Sequence, residues 1–158
     1  MELKKNISLK AFNTFGIDVV ATNFVEVYSV DELKSVLSNN TQSLLVLGGG
    51  SNLLFTTDFD GLVIKNNLRG ISIVEESDTE ISLKIGAGEI WHDFVLYCIE
   101  NDYAGIENLS LIPGSVGASP MQNIGAYGVE VKDVIVEVEA LNLKDFSGAA
   151  LFFSPKEL

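Results

Sequence analysis

Apolar residues recur along this chain at two distinct periods. Phe24, Val25 and Val27 alternate about Glu26, which predicts a short strand over residues 23–28. Ser29-Val30-Asp31-Glu32 then has the form of a capping box, and Val30, Leu33, Val36 and Leu37 follow at helical spacing. A helix is expected to about Asn39, its Lys34/Ser38 side wet. Ser43 to Leu47 reads as a buried strand running into glycines. Beyond them, Leu53-Leu54-Phe55 and Leu62-Val63-Ile64 read as two short strands about a turn at Asp58-Phe59-Asp60-Gly61. Ile71 to Val74 and Glu80 to Ile85 are further strand candidates, the second alternating as in a sheet with one wet face. Trp91, Phe94, Val95, Cys98 and Ile99 fall on one helical stripe, predicting an amphipathic helix from about Glu89 to Asn101 with Trp91 and Cys98 buried. Val134, Val136 and Val138 predict a long strand reaching toward Leu143.

Two stretches fit neither period. Residues 113–128 hold four glycines and two prolines, long for a plain connection and therefore read as a functional loop with a short helical turn. Ser154-Pro155-Lys156-Glu157 combines an N-cap serine, a proline at the first helical position and a following glutamate, the signature of a helix about to begin. Hence the chain reads as the front portion of a longer protein. The turn-like Asn66-Asn67-Leu68-Arg69-Gly70 suggests a division into residues 1–68 and 69–158.

Composition narrows the function classes. The 158 residues are 47% apolar, ample for a core, and carry a net charge of −12. Such a surface repels a phosphate backbone, which argues against nucleic acid as a partner. The start of the chain turns polar too soon for a signal peptide, and the longest apolar run, Phe94 to Ile99, cannot cross a bilayer. No membrane role is therefore expected, and the chain reads as cytoplasmic. Cys98 is the single cysteine and offers neither a disulfide nor a structural zinc site, so no metal is expected.

The candidate chemistry lies in Gly48-Gly49-Gly50-Ser51-Asn52. Three glycines can set successive backbone N–H groups in a concave nest that holds an anion by amide dipoles, with Ser51 and Asn52 adding side-chain donors. In so acidic a chain, a bound anion would rely on those dipoles. The two common phosphate loops do not fit: a Walker A loop needs a lysine and a following helix, and a Rossmann fingerprint needs a glycine where Leu53 stands.

Asn13-Thr14-Phe15-Gly16, Gly48 to Asn52, Gly86-Ala87-Gly88-Glu89, Glu107-Asn108-Leu109, Ile112-Pro113-Gly114-Ser115-Val116-Gly117 and Gln122-Asn123-Ile124-Gly125-Ala126-Tyr127-Gly128 together resemble the UDP-N-acetylenolpyruvoylglucosamine reductase family of peptidoglycan synthesis. The resemblance spans nearly the whole chain. It implies an α+β flavin-binding fold of the vanillyl-alcohol-oxidase type, two subdomains of mixed sheet with flanking helices clasping FAD, and a further C-terminal domain over the sugar nucleotide. In that family NADPH reduces the flavin, hydride passes to the enolpyruvyl β-carbon, and a protein acid protonates the α-carbon. Carried onto this sequence, Gly48, Gly49, Gly50, Ser51, Asn52 and Leu53 would wrap the FAD pyrophosphate. Ile112, Pro113, Gly114, Gly117, Ala118, Ser119, Gln122, Asn123 and Gly125 would line the flavin and ribityl path. Ala118 replaces a serine common in relatives, and Tyr127 is the substrate-side candidate. The family's catalytic arginine, serine and glutamate match no position here. The resemblance thus implies a chain that holds FAD without turning over UDP-N-acetylglucosamine enolpyruvate. The alternatives are a non-catalytic nucleotide-binding fragment and another flavin oxidoreductase of the same fold.

Plain structural roles compete at several positions. His92 reads as a surface or capping residue, Glu89 as an electrostatic partner of the helix N-terminus, and Cys98 as core. Glu107 and Asn108 read as loop-pinning hydrogen bonders. Tyr127 is balanced between a substrate contact and an aromatic plug.

Overall fold

A computed structural model describes residues 1–143 and the backbone of residues 148–152. The helix expected from Ser154 lies outside the described residues. The chain begins with strands β1 (Lys4–Ser8) and β2 (Val20–Val27), then helix α1 (Val30–Ser38) and strands β3 (Leu44–Leu47) and β4 (Phe59–Asn66). These strands form one sheet in the order β1-β2-β4-β3, with β1 antiparallel to β2 and both β2 and β3 parallel to β4.

The central strand β2 buries both faces, which is why its apolar residues are nearly continuous rather than alternating. On one face Val25 and Val27 meet Leu62 and Ile64 beneath Leu33, Val36 and Leu37 of α1. On the other, Phe24 and Ala21 pack with Leu9, Leu47 and Val63. Ser29 caps α1 by accepting from the Glu32 N–H at 3.2 Å, as its motif predicts. The Glu32 carboxylate reaches back one residue further than a standard capping box, to the Tyr28 N–H at 2.8 Å.

Strands β5 (Ile71–Glu76) and β6 (Ile81–Ile85) form an antiparallel ribbon, followed by helix α2 (Trp91–Glu100) and the one-turn helix α3 (Ser119–Gln122). Two more antiparallel ribbons pair β7 (Gly125–Ala126) with β8 (Val129–Glu130), and β9 (Glu137–Leu141) with β10 (Gly148–Phe152). A second core gathers Trp91, Phe94, Val95, Cys98, Ile106, Leu109 and Val131, covered by Ile71, Leu83 and Ile85 of the ribbon and by Ile112, Val116 and Ile124 of the long loop. Leu141 of β9 returns to pack against the α1 face of the first sheet.

Several expectations change. Residues 53–58 form no strand, and the supposed turn at Asp58 to Gly61 is the start of β4. Leu53 and Phe55 plug the β2 core instead, while Asp58 accepts from the Val20 N–H and Asp60 from the Thr22 hydroxyl across the sheet. Strand β3 lies at the sheet edge, so Leu47 is buried but Val46 is 48% exposed. Ile99 sits about 80° round the helix from Trp91 and is correspondingly 45% exposed. The last predicted strand starts late: Val131–Asp133 is a 3-10 turn, with the N–H groups of Val134 and Ile135 both on the Val131 carbonyl. Among the described residues no helix is long and apolar enough to cross a membrane, and no cluster of His, Cys, Asp or Glu could hold a metal.

Candidate functional site

Parallel strands β2, β3 and β4 end on the same edge of the sheet, and open sheets of this kind bind ligands beyond the carboxyl ends of their strands. The glycine run follows β3 directly, and the 66–70 turn follows β4. Both therefore emerge side by side on that edge.

Here five loop segments approach one another through backbone. A Cβ on Gly50, which has φ +67°, would stand 2.0 Å from the Phe12 carbonyl oxygen, and the Thr14 N–H donates to the Gly50 carbonyl at 3.2 Å. Asn13, buried, holds its own loop shut by donating to the carbonyls of Leu9 and Ile17 and accepting from the Ile17 N–H. A Cβ on Gly49 would stand 3.1 Å from the Gly114 Cα, and one on Gly48 would stand 2.5 Å from the Ser115 Oγ. Ser51 Oγ in turn lies 3.4 Å from where a Cβ on Gly114 would be. The two glycine-rich segments thus meet face to face.

The same logic fixes the neighbouring loops. Gly86 and Gly88 press on the backbone of residues 66–69, and Gly117 presses on Ala87, contacts that any Cβ would break. Backbone bonds lock the arrangement: Gly88 N–H to Leu68, Gly117 N–H to Ala87, Val116 N–H to Glu89 and Trp91 N–H to Gly114. Glu89 secures the 66–70 turn, accepting from the Gly70 N–H at 2.7 Å and pairing with Arg69 at 3.2 Å. Glu89 therefore ties two loops together rather than serving its helix alone. His92 accepts from the Leu111 N–H through Nδ1 at 3.2 Å, and Glu107 accepts from the Gly105 N–H at 2.8 Å. Its own backbone N–H and that of Gly105 hold the Glu107 carboxyl below its usual range. Burial, with the Glu107 charge adding to it, pushes the Cys98 thiol up to about 11, as suits an inert core residue.

The candidate residues divide by what already engages them. Gly50 and Ser119 are buried, Ser119 donating its hydroxyl to the Val116 carbonyl at 2.8 Å. Leu53 belongs to the β2 core and Ile112 to the α2 core. Asn123, at φ 41°, accepts from the Lys132 N–H. Gly49, Asn52, Pro113, Gly117, Gln122 and Gly125 are exposed, and Gly48, Ser51, Gly114 and Ala118 are half-buried around the meeting point. Tyr127 stands at the tip of the β7–β8 ribbon, φ 54° and 90% exposed, with Gly128 at φ 84° beside it. Two successive positive φ values are what a tight hairpin of this hand requires, and they present the ring to solvent rather than as a plug.

Two residues escaped the sequence reading. Ser115 is 7% exposed and its hydroxyl faces Gly48 with no partner among the described residues. Lys65, half-buried on β4 opposite Leu47, donates from Nζ to the Gly48 carbonyl. Its pKa is lowered, chiefly by burial and further by nearby Arg69. A formal cation therefore stands at the glycine run after all.

This donor set suits a phosphorylated cofactor. Among the described residues the backbone N–H groups of Gly49, Gly50 and Ser51 have no acceptor, Gly50 being buried, and an ammonium and a hydroxyl face the same turn. Comparison with known proteins agrees. The chain is 48% identical to a UDP-N-acetylenolpyruvoylglucosamine reductase of Flavobacterium johnsoniae over 99% of its length and 48% of the relative's. It is 52% identical to that of Bacteroides fragilis over 90% of its length and 43% of the relative's. The chain thus spans about half the length of the curated relatives it matches. The crystal structure of the enzyme from Thermus caldophilus superposes with a TM-score of 0.74 at 25% identity, covering 96% of this chain and 53% of that one. A family model described as an FAD binding domain matches residues 21–145, a span that holds both glycine-rich segments and the sheet that presents them, and the chain belongs to that FAD-binding family.

Proposed function

We propose that this chain is the flavin-binding portion of an NADPH-dependent reductase acting on UDP-N-acetylglucosamine enolpyruvate, and that its two meeting glycine segments are the FAD cradle. The observation that carries the reading is the apposition of Gly48–Ser51 with Gly114–Ser115, with N–H groups on the first segment that are unpaired among the described residues. Gly48, Gly49 and Ser51 take the pyrophosphate, with Asn52 flanking them. Pro113, Gly114, Gly117, Ala118, Gln122 and Gly125 line the rest of the cofactor's path. The Gly50 N–H joins that donor set, and Leu53, Ile112, Ser119 and Asn123 hold these loops in place from behind. Tyr127 reaches toward substrate from its hairpin tip.

When bound, the flavin supplies hydride transfer; the chain's own residues bind, orient and screen it from water. No residue of this chain is assigned to proton transfer. Residues 1–68 and 69–158 form the two halves of the clasp, a division supported by one core gathered around the β2–β4 sheet and another around α2. The return of Leu141 to the first core ties the halves together.

Purified chain mixed with FAD should quench flavin fluorescence and perturb the visible flavin bands saturably. The same mixture with NADPH and UDP-N-acetylglucosamine enolpyruvate should show no substrate-dependent NADPH oxidation. Unperturbed flavin would overturn the cradle, and sustained turnover would overturn the division of labour.

A further inference from the structure

Lys65 differs from the chain's other charges. Among the described residues, the ion pairs Lys4–Glu26, Arg69–Glu89, Lys84–Glu139 and Lys132–Glu130 engage four of the other Lys and Arg side chains, and Lys5, Lys10 and Lys34, which make none, are exposed. Lys65, although half-buried, pairs with no carboxylate among the described residues. Glu26 stands opposite it in the β2–β4 register, but that carboxylate is engaged by Lys4, the Tyr28 hydroxyl and Asn67. Glu26 attracts Lys65 only at a distance, too weakly to offset its burial, and a half-buried ammonium with no ion pair is unfavourable in a chain of net charge −12 where carboxylates are plentiful. Its Nζ instead meets the Gly48 carbonyl, at the first residue of the cradle. An ammonium has three N–H donors, and one carbonyl uses one of them.

We infer that Lys65 is the cationic member of the cradle, fixing Gly48 with one N–H and taking a phosphate oxygen of the bound dinucleotide with another. This rests on the flavin reading above. It assigns a charge to a site whose glycines alone would offer only dipoles, and the recognised chemistry is a diphosphate rather than an isoalloxazine ring.

The test compares three ligands on the full chain: FAD, ADP and riboflavin, the last lacking phosphate. Lys65→Met should weaken FAD and ADP about tenfold to a hundredfold, the range for losing one hydrogen bond to a charged group, and leave riboflavin unchanged. Lys65→Arg should restore most of the loss. FAD binding by the parent chain should weaken with added salt, and Lys65→Met should lose most of that dependence. Equal weakening of all three ligands would assign Lys65 to the fold alone and overturn the inference, as would unchanged FAD and ADP affinity. Should methionine at 65 unfold the chain, the parent's salt dependence decides, a flat response overturning it. A parent chain that binds no flavin overturns the cradle itself, a result distinct from a parent that binds and a variant that binds equally well.

Discussion

At the scale of single residues, glycine here makes room for backbone as much as for ligand. Gly50 and Gly16 show the difference. Both have positive φ, +67° and +64°, but a Cβ at Gly16 meets nothing within 4 Å whereas one at Gly50 meets the Phe12 carbonyl oxygen at 2.0 Å. Gly16→Ala should cost about 1–2 kcal/mol, the strain of a left-handed residue with a side chain. Gly50→Ala adds a collision with fixed backbone and should cost about 3 kcal/mol or more, read as the shift in a urea unfolding curve. Equal costs would mean that the loops do not touch as described. The sequence marked these glycines as positions of close approach, since nothing else tolerates a run of three, but a run cannot say what approaches. Lys65 was illegible for a related reason. Following Val63 and Ile64 at a strand end, a lysine reads as solvated surface, and only the register that sets it opposite Leu47 brings it to Gly48.

At the scale of elements, periodicity reported α1 and α2 well because each buries one stripe against a sheet or a loop layer. The Trp91 indole shows how such an element also holds the site: its Nε1 donates to the buried Leu109 carbonyl at 2.8 Å, and its own N–H donates to Gly114. Helix α2 thereby fixes both ends of the segment that leads into the second glycine run. Trp91→Phe keeps an aromatic ring at the site but leaves the Leu109 carbonyl without its donor, so a loss of about 1–3 kcal/mol is expected in thermal or urea unfolding. A neutral substitution would show that this bond does not hold the loop. Elements built by pairing rather than by their own pattern were not legible. Strand β1 is mostly polar and forms by lying antiparallel against β2, and β7–β8 are only two residues each, closed by Tyr127-Gly128. Residues 53–55 failed in the opposite sense, with apolar residues available but no neighbouring strand to pair with.

At the scale of the whole molecule, the loops that meet beyond the ends of the parallel strands come from positions far apart in the chain. Phe12 and Asn13 precede the β2–β4 sheet, Gly48 to Ser51 and Asn66 to Gly70 leave its strand ends, and Gly86 to Glu89 and Gly114 to Gly117 flank α2. Motif order along the chain, and its resemblance to a flavoenzyme family, carried this gathering in outline; the contacts between motifs required the structure. The cradle is tested most directly by hydrogen exchange along the backbone with and without FAD. Amides of residues 48–53 and 112–119 are expected to slow together when FAD is added, while those of the exposed β5–β6 ribbon stay unchanged. Slowing confined to other segments, or no slowing at saturating FAD, would contradict the assignment of the two glycine runs to the cofactor.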